Sequence, residues 1–105
     1  MERFNKYQFI DDLKEDIQEA IKDGDITNDD NLNEYIYNEV DRFCIYYYTC
    51  YQIVEELQAY EFDGANNITE LASNALTEYI FNELDISELE EAISKQLLNN
   101  INPLT

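Results

Sequence analysis

The segment CIYYYTC, from Cys44 to Cys50, places two thiols close together in a chain that contains no histidine. Thiols can ligate zinc or form a disulfide, but a zinc site needs more ligands than these two and commonly uses close pairs of Cys or His. On a continuous helix the two residues would lie about 240° and 9 Å apart, beyond the reach of a disulfide unless the helix breaks between them. We therefore expect both cysteines to pack in the core, with no metal and no cofactor.

Carboxylates are the other chemically active groups of this chain. It has 24 Asp and Glu residues against 6 Lys and Arg, a formal charge of -18, and no Lys or Arg between Phe43 and Ser94. Such a charge disfavours direct binding to nucleic acid or to an anionic membrane. Spaced carboxylates can instead present a negative surface to a basic groove, as the phosphates of DNA do. The alternative is that they only form solvated helix faces and keep the protein soluble.

The residues that we predict to bind a partner are carboxylates on exposed helix faces and tyrosines that cannot all face one core. The central and C-terminal carboxylates are Glu55, Glu56, Glu61, Asp63, Glu88, Glu90 and Glu91. A second cluster on the first predicted helix consists of Asp11, Asp12, Glu15, Asp16 and Glu19. The tyrosines are Tyr46 and Tyr48.

The residue types of this chain can also be compared with two other kinds of site, a calcium loop and a catalytic centre. The segment from Asp23 to Glu34 has oxygen-bearing side chains at the ligand positions of an EF-hand calcium loop, but Asn28 replaces the turn glycine and Asp30 an apolar residue. A helix N-terminus at Thr27, with acids in its first turn, explains this segment equally well. The usual catalytic constellations are absent, since there is no histidine, no glycine-rich phosphate loop and no nucleophile beside a base. We expect a protein that is not an enzyme.

Helices must position these side chains, because the chain has only two Gly and one Pro. Asn5 is suited to cap the first helix and Gly24 to end it. Apolar residues then recur at spacings of three and four from Leu32 to Leu57, across CIYYYTC, so residues 28–60 form either one long helix or two helices bent near residues 42–45. Asn67 opens a further helix.

The last helix is predicted to begin at Asp85 or Ser87 and to end before Pro103. The sequence thus predicts a single all-α domain over residues 1–105, a small bundle of four or five helices. No apolar run is long enough to span a membrane, and the N-terminus lacks the pattern of a secretory signal, so we expect a cytoplasmic protein.

The pair of segments CIYYYTCYQI and ITELASNALTEYIFNELD resembles a group of short acidic helical proteins of bacteriophages and prophages, in which a C-I-Y-Y-x-x-C segment precedes such a helix. The resemblance covers roughly residues 38–89 and brings no catalytic or binding residues with it. In size and charge the chain is also similar to anti-CRISPR and anti-restriction inhibitors, several of which mimic DNA.

These resemblances imply a counter-defence inhibitor in the cytoplasm of an infected bacterial host. Its expected partner is a CRISPR effector or restriction nuclease, whose basic nucleic-acid channel it would block by acidic mimicry of DNA. The alternative hypothesis is a non-catalytic helical adaptor or assembly protein that oligomerises through its aromatic stripe. A homodimer is compatible with both hypotheses.

Overall fold

The computed structural model describes residues 4–59 and 67–101, and within these ranges the chain forms five α-helices and no β-strand. The helices are α1 (Lys6–Asp23), α2 (Asp29–Phe43), α3 (Tyr47–Leu57), α4 (Ile68–Glu83) and α5 (Ile86–Ile101). The prediction of a small all-α bundle of four or five helices is confirmed.

Short polar side chains begin four of these helices by accepting hydrogen bonds from otherwise unpaired N–H groups. Asn5 Oδ1 accepts from the backbone of Tyr7 and of Gln8, at 3.0 Å each. Asn67 Oδ1 accepts from Glu70 N at 2.8 Å. At the start of α5, Asp85 rather than Ser87 is the cap, since Asp85 Oδ1 accepts from Glu88 N at 3.1 Å.

The N-cap of α2 is Asn28, so the prediction that Thr27 caps this helix is wrong. Asn28 Oδ1 accepts from Asn31 N at 2.8 Å, whereas the Thr27 hydroxyl donates to Asn31 Oδ1 at 2.9 Å. The bond between Thr27 and Asn31 uses side-chain oxygens that an EF-hand-like loop would turn towards calcium, and the chain is helical from Asp29 onward. In the described part of the chain, no group of three or more acidic or thiol side chains is placed to hold a metal ion.

The central apolar stripe runs through two helices and not one. Helix α2 ends at Phe43 and α3 begins at Tyr47, so the chain changes direction within CIYYYTC. Backbone hydrogen bonds persist on each side of this change: Cys44 N donates to Val40 O at the end of α2, and Cys50 N donates to Tyr46 O at the start of α3, each at 3.0 Å. The break therefore leaves the last turn of α2 and the first turn of α3 intact.

The core is formed by one apolar face from each helix. Its fully buried members include Ile17 of α1, Ile36 of α2, Ile53 of α3 and Leu76 of α4. Helix α3 packs most extensively on α4; α4 also contacts α2, and α1 contacts α5 and α3. Hydrogen bonds from distant parts of the chain hold α1 in place, among them Phe4 N to Gln52 Oε1 at 2.7 Å.

The molecule is elongated, with extents of 53 × 30 × 20 Å. Its radius of gyration is 15.8 Å, against about 13 Å for a compact domain of this length. No helix in the described ranges combines the length and the hydropathy needed to cross a membrane.

Candidate protein-binding surface

The solvent side of α1 carries all five carboxylates of the predicted N-terminal cluster, and all five are exposed. At about 100° per residue they cover an arc of about 140°, opposite the buried stripe that includes Leu13 and Ile17. We call this surface the α1 acidic face. Its members are Asp11, Asp12, Glu15, Asp16 and Glu19.

The α1 acidic face has a charge density of the same order as duplex DNA. Between Asp11 and Glu19 the helix axis rises about 12 Å, which gives about one carboxylate per 3 Å. Duplex DNA has one charge per roughly 1.7 Å of axis. Lys14 is the basic residue of this segment, and it lies outside the acidic arc.

Carboxylates from three helices lie near Tyr79, on one side of this surface. The Tyr79 hydroxyl donates a hydrogen bond to Lys6 O at 3.3 Å. Burial raises the pKa of Tyr79, and the nearby carboxylates of Glu83, Glu56 and Asp11 raise it further. The fold therefore brings Asp11 of α1 and Glu56 of α3 within electrostatic range of the same tyrosine, although they are far apart in sequence.

On its other side the α1 acidic face borders an open groove of about 530 Å³ between α1 and the α2–α3 corner. Asp12 and Asp16 line one wall of the groove, and Glu39 and Arg42 line the other. Tyr35 lies near this end of the molecule. Burial raises its pKa, Glu39 and Asp16 raise it further, and Arg42 opposes the increase.

The α5 carboxylates do not form one cluster. Glu88 and Glu91 are exposed, and Glu91 pairs with Lys95 at 3.3 Å. Glu90 lies beside Asp29 at the start of α2. Repulsion from that carboxylate raises the pKa of Glu90, and a hydrogen bond that the protonated form can make with Asp29 raises it further. Because Glu90 already has an acidic neighbour within the protein, it is the weakest candidate for binding a partner among the predicted carboxylates.

The remaining carboxylates of the central group are only partly described. Glu55 is exposed near the C-terminal end of α3, and Glu56 is partly buried beside it. Glu61 and Asp63 lie outside the described residues. For Glu61 and Asp63, a place in the predicted central cluster therefore remains a prediction.

Tyr46 and Tyr48 both project into solvent, with 69% and 58% of their surface exposed. Ile45 and Tyr51 are exposed beside them at the α2–α3 corner. An exposed set of large apolar side chains next to carboxylates is typical of protein-binding surfaces, where tyrosine supplies contact area and a polar tip. We call these four residues the corner patch.

Cys44 and Cys50 are buried and unbridged, so the prediction that they pack in the core is confirmed. Burial raises the pKa of Cys44 to about 12, with a smaller contribution from the neighbouring Cys50. A thiol that stays protonated is a poor nucleophile and a poor metal ligand.

The comparisons with known proteins give no relative: no family model, no curated protein and no solved structure matches this chain.

Sequence reasoning missed Glu39, Arg42 and Phe43, which complete the groove opposite Asp12 and Asp16. The spacing of Glu39 and Arg42 indicates a local ion pair. No local signal in the sequence indicates that this pair faces α1.

Proposed function

We propose that the protein is a phage-encoded counter-defence inhibitor that binds a host nuclease and blocks its nucleic-acid channel. The α1 acidic face carries this proposal, because it offers five exposed carboxylates on one side of a rigid helix at a spacing comparable to that of DNA phosphates. The partner would be a CRISPR effector or a restriction nuclease, and the site of action the cytoplasm of the infected bacterium. The resemblance of residues 38–89 to phage and prophage proteins supports this setting.

In the proposed mechanism, Lys and Arg residues that normally hold phosphates pair with carboxylates of the α1 acidic face. Exposed ion pairs contribute only about 0.2–1 kcal/mol each, so several must form together. The elongated shape helps, since its 53 Å length equals that of about 15 base pairs of duplex. Tyr46 and Tyr48 of the corner patch would add apolar contacts at the end of the charged surface.

Reversal of three charges on the α1 acidic face tests this function. The variant Asp12→Lys/Glu15→Lys/Glu19→Lys should lose inhibition of DNA cleavage by a guide-loaded CRISPR effector while its helical circular dichroism persists. A matched control reverses three exposed acids outside all predicted clusters, Glu34→Lys/Asp41→Lys/Glu78→Lys, and should still inhibit. If inhibition survives reversal of the α1 acidic face and then of the α3 and α5 carboxylates, mimicry is wrong.

The corner patch favours a second candidate function, assembly of a helical adaptor through apolar contacts. Four large side chains are exposed together there, and a homodimer formed through them would bury Tyr46 and Tyr48. Light scattering over a concentration series tests this. A dimer that Tyr48→Ser dissociates, with no nuclease inhibition, would favour assembly over inhibition.

A further inference from the structure

The groove beside α1 has an aromatic floor. The rings of Phe4 and Phe9 lie 5.5 Å apart, and Phe43 meets Phe9 edge-on at 4.8 Å. Phe4 and Phe9 are buried, Phe43 is partly exposed, and the exposed ring of Tyr46 stands at the rim. At about 530 Å³ the groove falls within the roughly 300–1,000 Å³ of ligand sites.

Carboxylates line both walls above this floor. Asp12 and Asp16 are one helical turn apart on α1, and Glu39 lies on α2 across the groove. Gln8 Nε2 donates to Asp12 Oδ1 at 2.8 Å, which leaves the second carboxylate oxygen of Asp12 for another donor. A groove with an aromatic floor and acidic walls suits a cation that is planar, apolar on its faces and rich in N–H donors at its edge.

The protein already holds one such cation at the edge of the groove. The Arg42 guanidinium pairs with the Glu39 carboxylate and lies over the Phe43 ring, 5.8 Å from its centroid. This arrangement combines an ion pair with a cation–π contact. The same two kinds of group, carboxylates and an aromatic ring, also line the rest of the groove, where Asp12 and Asp16 of α1 stand with the ring of Tyr46.

We propose that this groove binds an arginine side chain from a basic segment of the partner protein. The guanidinium would lie against the Tyr46 and Phe43 rings and donate its N–H groups to Asp12 and Asp16. Arginine fits better than lysine because its planar fork can donate to two carboxylate oxygens while stacking on a ring. Charge complementarity selects this occupant, since Asp12 and Asp16 leave the groove with a net negative charge while Arg42 neutralises Glu39.

For the kind of partner, arginine binding in the groove rests on the proposed function. An experiment can nevertheless disprove arginine binding without disproving nuclease inhibition. The α1 acidic face could engage a nuclease through diffuse charge alone, with the groove empty. Conversely, the groove could bind an arginine segment of a protein that is not a nuclease. The test therefore uses short peptides and no nuclease.

The experiment is a ¹H–¹⁵N chemical-shift titration of the full chain with the capped peptide acetyl-Gly-Arg-Arg-Gly-amide, and separately with acetyl-Gly-Lys-Lys-Gly-amide of equal charge. The arginine peptide should saturate shifts of the groove residues and bind about threefold more tightly than the lysine peptide. The variant Asp12→Asn/Asp16→Asn should weaken arginine binding about fivefold, because two charged contacts are lost.

The matched control is Asp30→Asn/Glu34→Asn, which removes the same charge at the same spacing on α2, away from both the groove and the α1 acidic face. It should change affinity by less than about twofold. Tyr46→Ser should abolish the preference for arginine over lysine, whereas Tyr48→Ser should keep it. Two results would overturn the groove proposal: an equal loss of affinity for the arginine peptide in the two double variants, or chemical-shift changes spread over α5 as well as α1. Either result would mean that the peptide is held only by diffuse electrostatic attraction.

Discussion

The thiol of Cys50 donates a hydrogen bond to the backbone carbonyl of Cys44, with 3.3 Å between sulfur and oxygen, across the break between α2 and α3. Because α2 ends at Phe43, the Cys44 carbonyl is not needed as a helix acceptor and is free for this bond. The two cysteines therefore stabilise the bend within CIYYYTC by packing and hydrogen bonding, and we assign them no redox or metal role.

Both thiols should react slowly in the folded protein. Burial raises the pKa of Cys44 from 9.0 to about 12, so the reactive thiolate is scarce at neutral pH. A disulfide reagent such as DTNB should modify the native chain far more slowly than the urea-unfolded chain. The exposed control Ser94→Cys should add one thiol that reacts at once. Rapid reaction of two thiols in the native wild type would contradict the buried arrangement.

The same pKa shift predicts a loss of stability in alkali. A folded-state pKa raised from 9.0 to about 12 stabilises the fold fully below the lower value, and this contribution disappears as pH rises through the higher value. Cys44→Ser should reduce this pH dependence. Urea unfolding at several pH values between 9.0 and about 12 gives the free energies of unfolding that test this prediction.

Leu76 of α4 is fully buried in the core. Leu76→Ala should lower the free energy of unfolding by about 3 kcal/mol, through lost burial and the cavity left behind. Leu98 of α5 has 64% of its surface exposed, so the same substitution there should cost less than about 0.5 kcal/mol. Urea unfolding measures both values, and equal costs would show that the core is placed wrongly.

Gly24 ends α1 with a left-handed backbone, at φ 87°. A Cβ atom added there meets no atom within 4 Å, so the penalty of Gly24→Ala is purely conformational. We expect a loss of about 1 kcal/mol in unfolding free energy. Gly24→Asn should cost less, since asparagine tolerates this conformation better. A Gly24→Ala protein as stable as the wild type would mean that the helix ends differently.

The Glu90–Asp29 contact should destabilise the protein at neutral pH. Because the pKa of Glu90 is raised above 4.5, its stabilising contribution is complete below that pH and is lost as the group ionises. Glu90→Gln should therefore raise the melting temperature at neutral pH and have little effect well below pH 4.5. Glu91→Gln, which removes the partner of Lys95, should not raise it. A lower melting temperature for Glu90→Gln would contradict the repulsion.

Strong local signals made most of the fold predictable from sequence. Helix α1 begins after Asn5 and ends before Gly24, as the sequence predicts, because an N-cap and a left-handed C-cap each depend on a single residue. The break between α2 and α3 could not be decided, since the apolar spacing continues on both sides of it.

The candidate site was predictable only in part. The α1 acidic face follows from helical periodicity, and Tyr46 and Tyr48 are exposed as expected. The groove depends on Glu39 and Arg42 meeting α1, which is a tertiary contact without a local signal. Helical periodicity alone could have separated Glu90 from its neighbours, because it lies on a different side of α5.

In the function proposed above, the α1 acidic face takes the place of DNA in the channel of a nuclease. The most direct measurement is the electrophoretic mobility of target DNA with a guide-loaded CRISPR effector, with and without the protein, across a salt series. We predict that the protein abolishes the DNA complex at low salt and that the complex returns as salt rises, because exposed charges are screened within about 10 Å at 0.1 M salt. A DNA complex that persists at low salt, with or without inhibited cleavage, would contradict channel blocking.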